Sequence, residues 1–198
     1  MKKGANYFYG PVPSRRLGLS LGVNLFPKKI CSFDCLYCQL GVSARTGVRR
    51  VNFVKMRRFR QQLRALTKNN PVIDYITISG SGEPTLHRHL DRVISAIKSV
   101  AGSRYPVCVI TNSSLLYQRE VRKELRQADL IIPSLDAARP RTWRRINRPH
   151  KGITFKKIIS GLISLRKEFK GHIWLEIMLL GGVNDSLAEA RAFKPLLE

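Results

Sequence analysis

The chain has 198 residues, with an apolar share of 43% and a charged share of 25%, the range of a folded domain rather than of a disordered or fibrous chain. Its 36 Lys and Arg against 13 Asp and Glu give a formal net charge of +23, which favours polyanionic neighbours but does not bear on fold. No run approaches the roughly 20 apolar residues of a membrane helix. The opening "MKKGANYFYG" lacks the apolar stretch that follows the lysines of a secretory signal. One cytoplasmic domain over residues 1–198, away from the membrane, is therefore expected.

In chain order, "LSLGVNLF" (19–26) reads as a first strand and leads into "ICSFDCLYC" (30–38), which holds three of the four cysteines. A helix follows, with Phe59, Leu63 and Leu66 on one face and Arg57, Arg58, Arg60 and Arg64 mostly elsewhere; it stops near Asn69, Asn70 and Pro71. "VIDYITIS" (72–79) is a second strand, rich in β-branched residues. Leu90, Val93, Ile94 and Ile97 then mark a helix ending near Gly102. "VCVIT" (107–111) is a third strand, followed by a short helix around Val121 and Leu125, and "DLIIPSLD" (129–136) a fourth. Phe155, Ile158, Ile159, Leu162 and Leu165 share a helical face, "HIWLEIMLL" (172–180) supplies a fifth strand, and a last helix begins after Asp185.

Five βα units joined by short connections predict an α/β fold with a parallel sheet and right-handed crossovers, either an open doubly wound sheet or part of a (β/α) barrel. Both architectures put chemistry at the C-terminal ends of the strands. Four polar motifs fall there: the cysteines, "SGSGEPT", "TNSS" and "PSLD".

A structural zinc site wants four ligands, but only Cys31, Cys35 and Cys38 are close in sequence. Cys108 lies inside a strand as a small core residue, and His87, His89, His150 and His172 are distant. A cubane iron–sulfur cluster takes one thiolate per iron, so three cysteines leave one iron open to another ligand. The "GSGEPT" segment lacks the lysine of a phosphate-cradling loop. It is compatible with close backbone approach to a ligand at Gly82, or with a plain turn that sets Pro84 at the start of a helix.

The C-x3-C-x2-C spacing at the end of the first strand, with Tyr37 before the last cysteine, resembles the signature of the radical S-adenosylmethionine (SAM) superfamily. "SGSGEPT" resembles that superfamily's Gly-Gly-Glu motif with Ser81 in place of the first glycine. Over nearly the whole chain, "GPVPSRRLGLSLGVNLFPKKICSFDCLYCQLG" and "PSLDAARPRTWRRINRPH" are similar to a subgroup of iron–sulfur oxidoreductases related to wyosine-type tRNA-modifying radical enzymes.

The resemblance implies a [4Fe–4S] cluster on Cys31, Cys35 and Cys38, with SAM chelating the fourth iron and an electron donor of flavodoxin or ferredoxin type. Reductive cleavage of SAM would yield a 5′-deoxyadenosyl radical that abstracts hydrogen from a substrate no motif names. It further implies that Tyr37 lies by the adenine, that Ser81, Gly82 and Glu83 meet the SAM amino group, and that Asn112, Ser134 and Asp136 contact ribose and carboxylate. Each of the last three also suits a turn or cap. Gly181 and Gly182 either approach the adenine or form a turn before a helix capped by Asp185. The superfamily's partial TIM barrel has six βα units, so a (β/α)6-type barrel cut short after about five is expected.

No acidic residue lies between Asp34 and Asp74 or between Asp136 and Glu168, which predicts two basic surfaces. The second, "RPRTWRRINRPHKG", interleaves Trp143 with Arg141, Arg144, Arg145 and Arg148, a mixture of cations and a flat ring that suits RNA. Two further readings follow: tRNA modification of the wyosine sort, and a metal-stabilised RNA-binding module without catalysis. The second leaves "SGSGEPT" without a task.

Overall fold

The side chains of the parallel strands alternate between two hydrophobic clusters, and this alternation positions everything else. In the computed structural model, residues 6–42, 46–69 and 71–197 are described. The lysines of the amino-terminal segment read above fall in residues 1–5, and Asn70 at the expected helix end, outside them.

Among the described residues, six strands form one sheet in the order β1 to β6. They are β1 (Phe8–Ser14), β2 (Gly18–Asn24), β3 (Tyr75–Ser79), β4 (Val107–Thr111), β5 (Leu130–Pro133) and β6 (His172–Ile173). The β1–β2 pair is antiparallel, and the pairs from β2 to β6 are parallel. Leu21, Val23, Ile76, Ile78, Val107, Val109 and Ile131 enter the main core beneath the helices. The residues between them turn to the other face, where Cys108, Leu130 and Ile132 form a small second cluster with Leu17. The result is a partial, open barrel of the expected kind.

The helices are α1 (Met56–Thr67), α2 (Leu90–Ala101), α3 (Arg119–Leu125), α4 (Pro140–Asn147), α5 (Phe155–Glu168), α6 (Leu187–Arg191) and α7 (Lys194–Leu197). In α1, Phe59 and Leu63 are fully buried while Leu66 stays exposed; each full burial is worth about 2 kcal/mol. Helix α5 is capped by Thr154, whose hydroxyl accepts the Lys157 amide. Among the described residues, no helix is long and apolar enough to cross a membrane.

Four expectations need correction. Strand β1 was not foreseen because Pro11 and Pro13 argue against a strand; prolines are tolerated at a sheet edge, and β1 is an edge. The fifth strand is shorter than 172–180. Its ladder covers His172–Ile173, with single hydrogen bonds continuing to Glu176, since no described strand supports its other side. Helix α6 is capped by Ser186, whereas Asp185 closes the preceding turn by accepting the Gly182 amide at 3.0 Å. The basic segment around Trp143 is the amphipathic helix α4, begun by Pro140 at its first turn.

Candidate active site

The cysteine loop after β2 is fastened on three sides. Ile30 bridges the "SGSGEPT" loop: its amide donates to Ser81 O (3.0 Å), and its carbonyl accepts the Glu83 amide (2.9 Å). Ser32 O accepts the His150 amide at 2.8 Å, and Phe33 packs edge-on against Trp143 with ring centroids 5.7 Å apart. The amides of Asp34 and Leu36 donate to the carbonyls of Asn147 (3.1 Å) and Ile146 (2.9 Å) at the end of α4. Turns in the loop bring the Cys38 amide to Cys35 O and the Gly47 amide to Cys31 O.

Gly82 is required by that fastening. Its φ is +141°, and a Cβ there would lie 1.9 Å from the Ile30 carbonyl oxygen. The close approach that selects glycine is therefore to the backbone of the cysteine loop. Ser81 points away from the cavity: its hydroxyl accepts from Asn24 Nδ2 and its amide donates to Asn24 Oδ1, both at 3.0 Å.

A cavity of about 250 Å³ opens at the C-terminal ends of the strands, lined among others by Cys31, Cys35, Tyr37, Gly82, Glu83, Asn112, Ser134 and Asp136. Most of the residues singled out in the sequence thus converge on one space. Ser79, Gly80, Thr111, Glu176 and Met178 also line it, and only their position at strand ends could have marked them.

Glu83 is buried. Its Oε1 accepts from the Thr85 amide (3.0 Å) and from the hydroxyls of Thr85 and Thr111 (2.6 Å each), while Oε2 accepts the Asn112 amide (2.6 Å). Burial pushes its carboxyl pKa up, and these hydrogen bonds oppose the shift. Asp136 is equally enclosed. It accepts from the Tyr37 hydroxyl (2.7 Å), from Asn147 Nδ2 and from the Met178 amide (3.0 Å). Burial, then the charges of Cys35 and Asp136, raise the Tyr37 pKa, so the phenol keeps the proton it donates. Ser134 is half-buried, its carbonyl accepting from the Ser113 hydroxyl at 2.8 Å. Gly181 and Gly182 do not line the cavity and belong to the exposed turn before α6.

Two amides aim at sulfur. Asn112 Nδ2 lies 3.5 Å from Cys31 Sγ and 3.0 Å from Ser32 Oγ, and Asn147 Nδ2 lies 3.4 Å from Cys35 Sγ. Asn147 carried no signal in the sequence, because its contact arises from the packing of α4 on the loop. Without a cation, burial pushes the Cys31 thiol up to about 12, reinforced by the Glu83 charge, and the Cys35 thiol up to about 11, opposed by the Asn147 hydrogen bond. Cys31 and Cys35, half-buried with N–H donors on sulfur, fit the chemistry of an iron–sulfur donor set, in which the positive charge of the iron would hold them as thiolates. Of the other two thiols, Cys38 is half-buried and Cys108 is buried in the sheet, and neither lines the cavity. Among the described residues, no three His, Cys, Asp or Glu side chains are grouped to hold a single metal ion.

Trp143 corrects the expectation of a stacking surface. It is 1% exposed, wedged between Phe33 and Phe155, because the amphipathic helix turns its only ring inward. Arg141, Arg144, Arg145 and Arg148 stay outside.

Residues 25–193 match the model of the radical SAM superfamily. The chain is 48% identical over 181 residues to a protein named GTPase Obg from Brachyspira hyodysenteriae, covering 91% of this chain and 26% of that one. It is 40% identical over 177 residues to a UPF0026 protein from Methanocaldococcus jannaschii, covering 88% and 54%. The chain thus spans between a quarter and about half the length of these relatives. A structure of TYW1 with a lysine–pyruvate adduct bound shares the fold at 19% identity and a TM-score of 0.62, over 89% of this chain and 61% of that one. A match of this extent, on the chain whose cysteine loop and Gly-Glu loop are laced together at the strand ends, makes the protein a member of the radical SAM superfamily, with TYW1-like structural neighbours.

Proposed function

We propose that the protein is a SAM-cleaving radical enzyme of oxidoreductase type whose Cys31, Cys35 and Cys38 hold one [4Fe–4S] cluster. The observation that carries this reading is the juxtaposition at one cavity of the cysteine loop and the Glu83 loop, joined through Ile30 and Gly82. When bound, the cluster supplies the electron that splits the sulfonium C–S bond of SAM, giving methionine and a 5′-deoxyadenosyl group that takes hydrogen from substrate.

The chain's own residues do the positioning. Asn112 and Asn147 direct N–H groups to the ligand sulfurs, which orients them and tunes the centre. Glu83 ties the end of β3 to Asn112 at the end of β4, and in this reading presents the carboxylate side of the cavity to the SAM ammonium while Gly82 sets the approach. Tyr37, held by Asp136, faces the adenine; Asn112, Ser134 and Asp136 frame ribose and carboxylate, and Ser81 acts through Asn24. In this reading tRNA is one candidate class of substrate.

The test is anaerobic reconstitution with iron and sulfide, reduction by dithionite, and chromatographic detection of products from SAM. Methionine and 5′-deoxyadenosine should accumulate slowly without substrate, and not in Cys31→Ala, Cys35→Ala or Cys38→Ala. A colourless chain carrying one zinc and leaving SAM intact would replace this reading with a metal-stabilised module.

A further inference from the structure

We propose that the outer face of α4 and the adjoining cysteine loop form a docking surface for an acidic one-electron carrier protein. The inference rests on the reading of the three cysteines as cluster ligands. It adds the place from which the electron enters: one electron leaves the carrier and enters the cluster, with no bond made or broken and no proton moved.

The charge at this place is free to be used. Arg141, Arg144, Arg145 and Arg148 are exposed, and among the described residues none of them forms an ion pair. The opposite face of the same helix is locked to the cysteine loop through the Asn147 and Ile146 carbonyls, and Asn147 Nδ2 lies 3.4 Å from Cys35 Sγ. The cations therefore stand about one helix diameter, roughly 10 Å, from a cluster ligand. A carrier seated on them brings its redox centre close to that ligand.

Leu36, whose amide donates to Ile146 O of α4, is 41% exposed, and farther along the cysteine loop Leu40 and Val42 are 49% and 82% exposed. Exposed apolar side chains on a loop held by the arginine-bearing helix suit a protein partner, and the arginines complement an acidic one, steering encounter and fixing register. RNA is the weaker fit. Leucine and valine offer it neither hydrogen bonds nor a stacking plane, and the one ring on α4, Trp143, is buried.

The experiment uses the reconstituted full chain and a purified acidic [2Fe–2S] ferredoxin as probe. Calorimetric titration should show binding that weakens with added salt, and Arg144→Glu/Arg145→Glu should weaken it at least ~10-fold. Stopped-flow bleaching of the cluster by reduced ferredoxin should slow by a similar factor, while bleaching by dithionite keeps the parent rate. Arg144→Gln/Arg145→Gln, which removes charge without reversing it, should fall between. Unchanged ferredoxin affinity in both variants overturns the proposal. So does ferredoxin that fails to bind while a tRNA transcript binds through the same arginines. A chain that takes up no cluster overturns the reading of the cysteines instead, and arginine-dependent ferredoxin binding to that apo chain would still support the surface.

Discussion

Gly82→Ala tests whether the lacing of the two loops holds the site together. The added Cβ would stand 1.9 Å from the carbonyl oxygen and 2.7 Å from the carbonyl carbon of Ile30, both backbone atoms that no rotamer change can move. Relief requires Ile30 to withdraw, which breaks its hydrogen bonds to Ser81 and Glu83, worth about 1 kcal/mol each. The residue must also keep a φ of +141°, a conformation costing about 1–3 kcal/mol outside glycine. The expected loss is about 3–5 kcal/mol, which lowers the melting temperature of a chain this size by roughly 10–15 °C. Because Cys31 follows Ile30, iron bound per chain after reconstitution should fall as well. Calorimetry of the apo chain and iron analysis read the two effects, with Gly181→Ala as the control, since the nearest atom to its added Cβ is Asp185 Oδ2 at 4.0 Å. A Gly82→Ala chain within about 1 kcal/mol of the parent and fully loaded with iron would refute the argument.

Three further outcomes follow from the same geometry. Asn147→Leu removes the N–H on Cys35 Sγ, a bond that strengthens as the centre gains negative charge; a loss of about 1 kcal/mol on reduction lowers the potential by about 40 mV in an EPR-monitored redox titration, and an unmoved potential with the cluster retained would contradict the role given to Asn147. His87 is buried with neither ring nitrogen hydrogen-bonded among the described residues, and burial, then the charges of Arg50 and His89, lower its pKa to about 4. An unfolded histidine titrates near 6.5, so its contribution is intact above that pH and is lost as pH falls towards 4, up to about 3 kcal/mol. His87→Phe should match or exceed the parent's stability at neutral pH and flatten this acid slope; denaturant titrations across the range decide, and an unaltered slope would remove His87 as the cause. Finally, Cys31 and Cys35 are thiols at neutral pH in the apo chain, so iron loading must release protons and should strengthen as pH rises, measurable by proton release on reconstitution.

Where local rules decide, the sequence was readable. β2 to β5 show themselves by apolar and β-branched runs, and the strand-end rule points Cys31, Cys35, Glu83, Asn112 and Asp136 to one rim, where they line one cavity. β1 was hidden because Pro11 and Pro13 speak against pairing unless the strand is known to be an edge. α4 was hidden by its arginines, which read as a surface and masked the Trp143–Ile146 spacing that buries one side. Asn147 and the orientation of Ser81 were not readable at all, since each is fixed by a tertiary contact. Gly82 was read as approaching a ligand or making a turn, whereas the close approach seen is to the Ile30 backbone, which depends on how the loop after β2 folds back.

The most direct test of the central claim is EPR spectroscopy of the reconstituted, reduced chain with and without SAM. If three thiolates leave one iron of a [4Fe–4S] cluster for SAM, the reduced-cluster signal should appear and change shape on adding SAM, in the parent chain but not in a Cys35→Ala variant. A reduced-cluster signal that is indifferent to SAM, or no such signal in a chain with full zinc content, would contradict it.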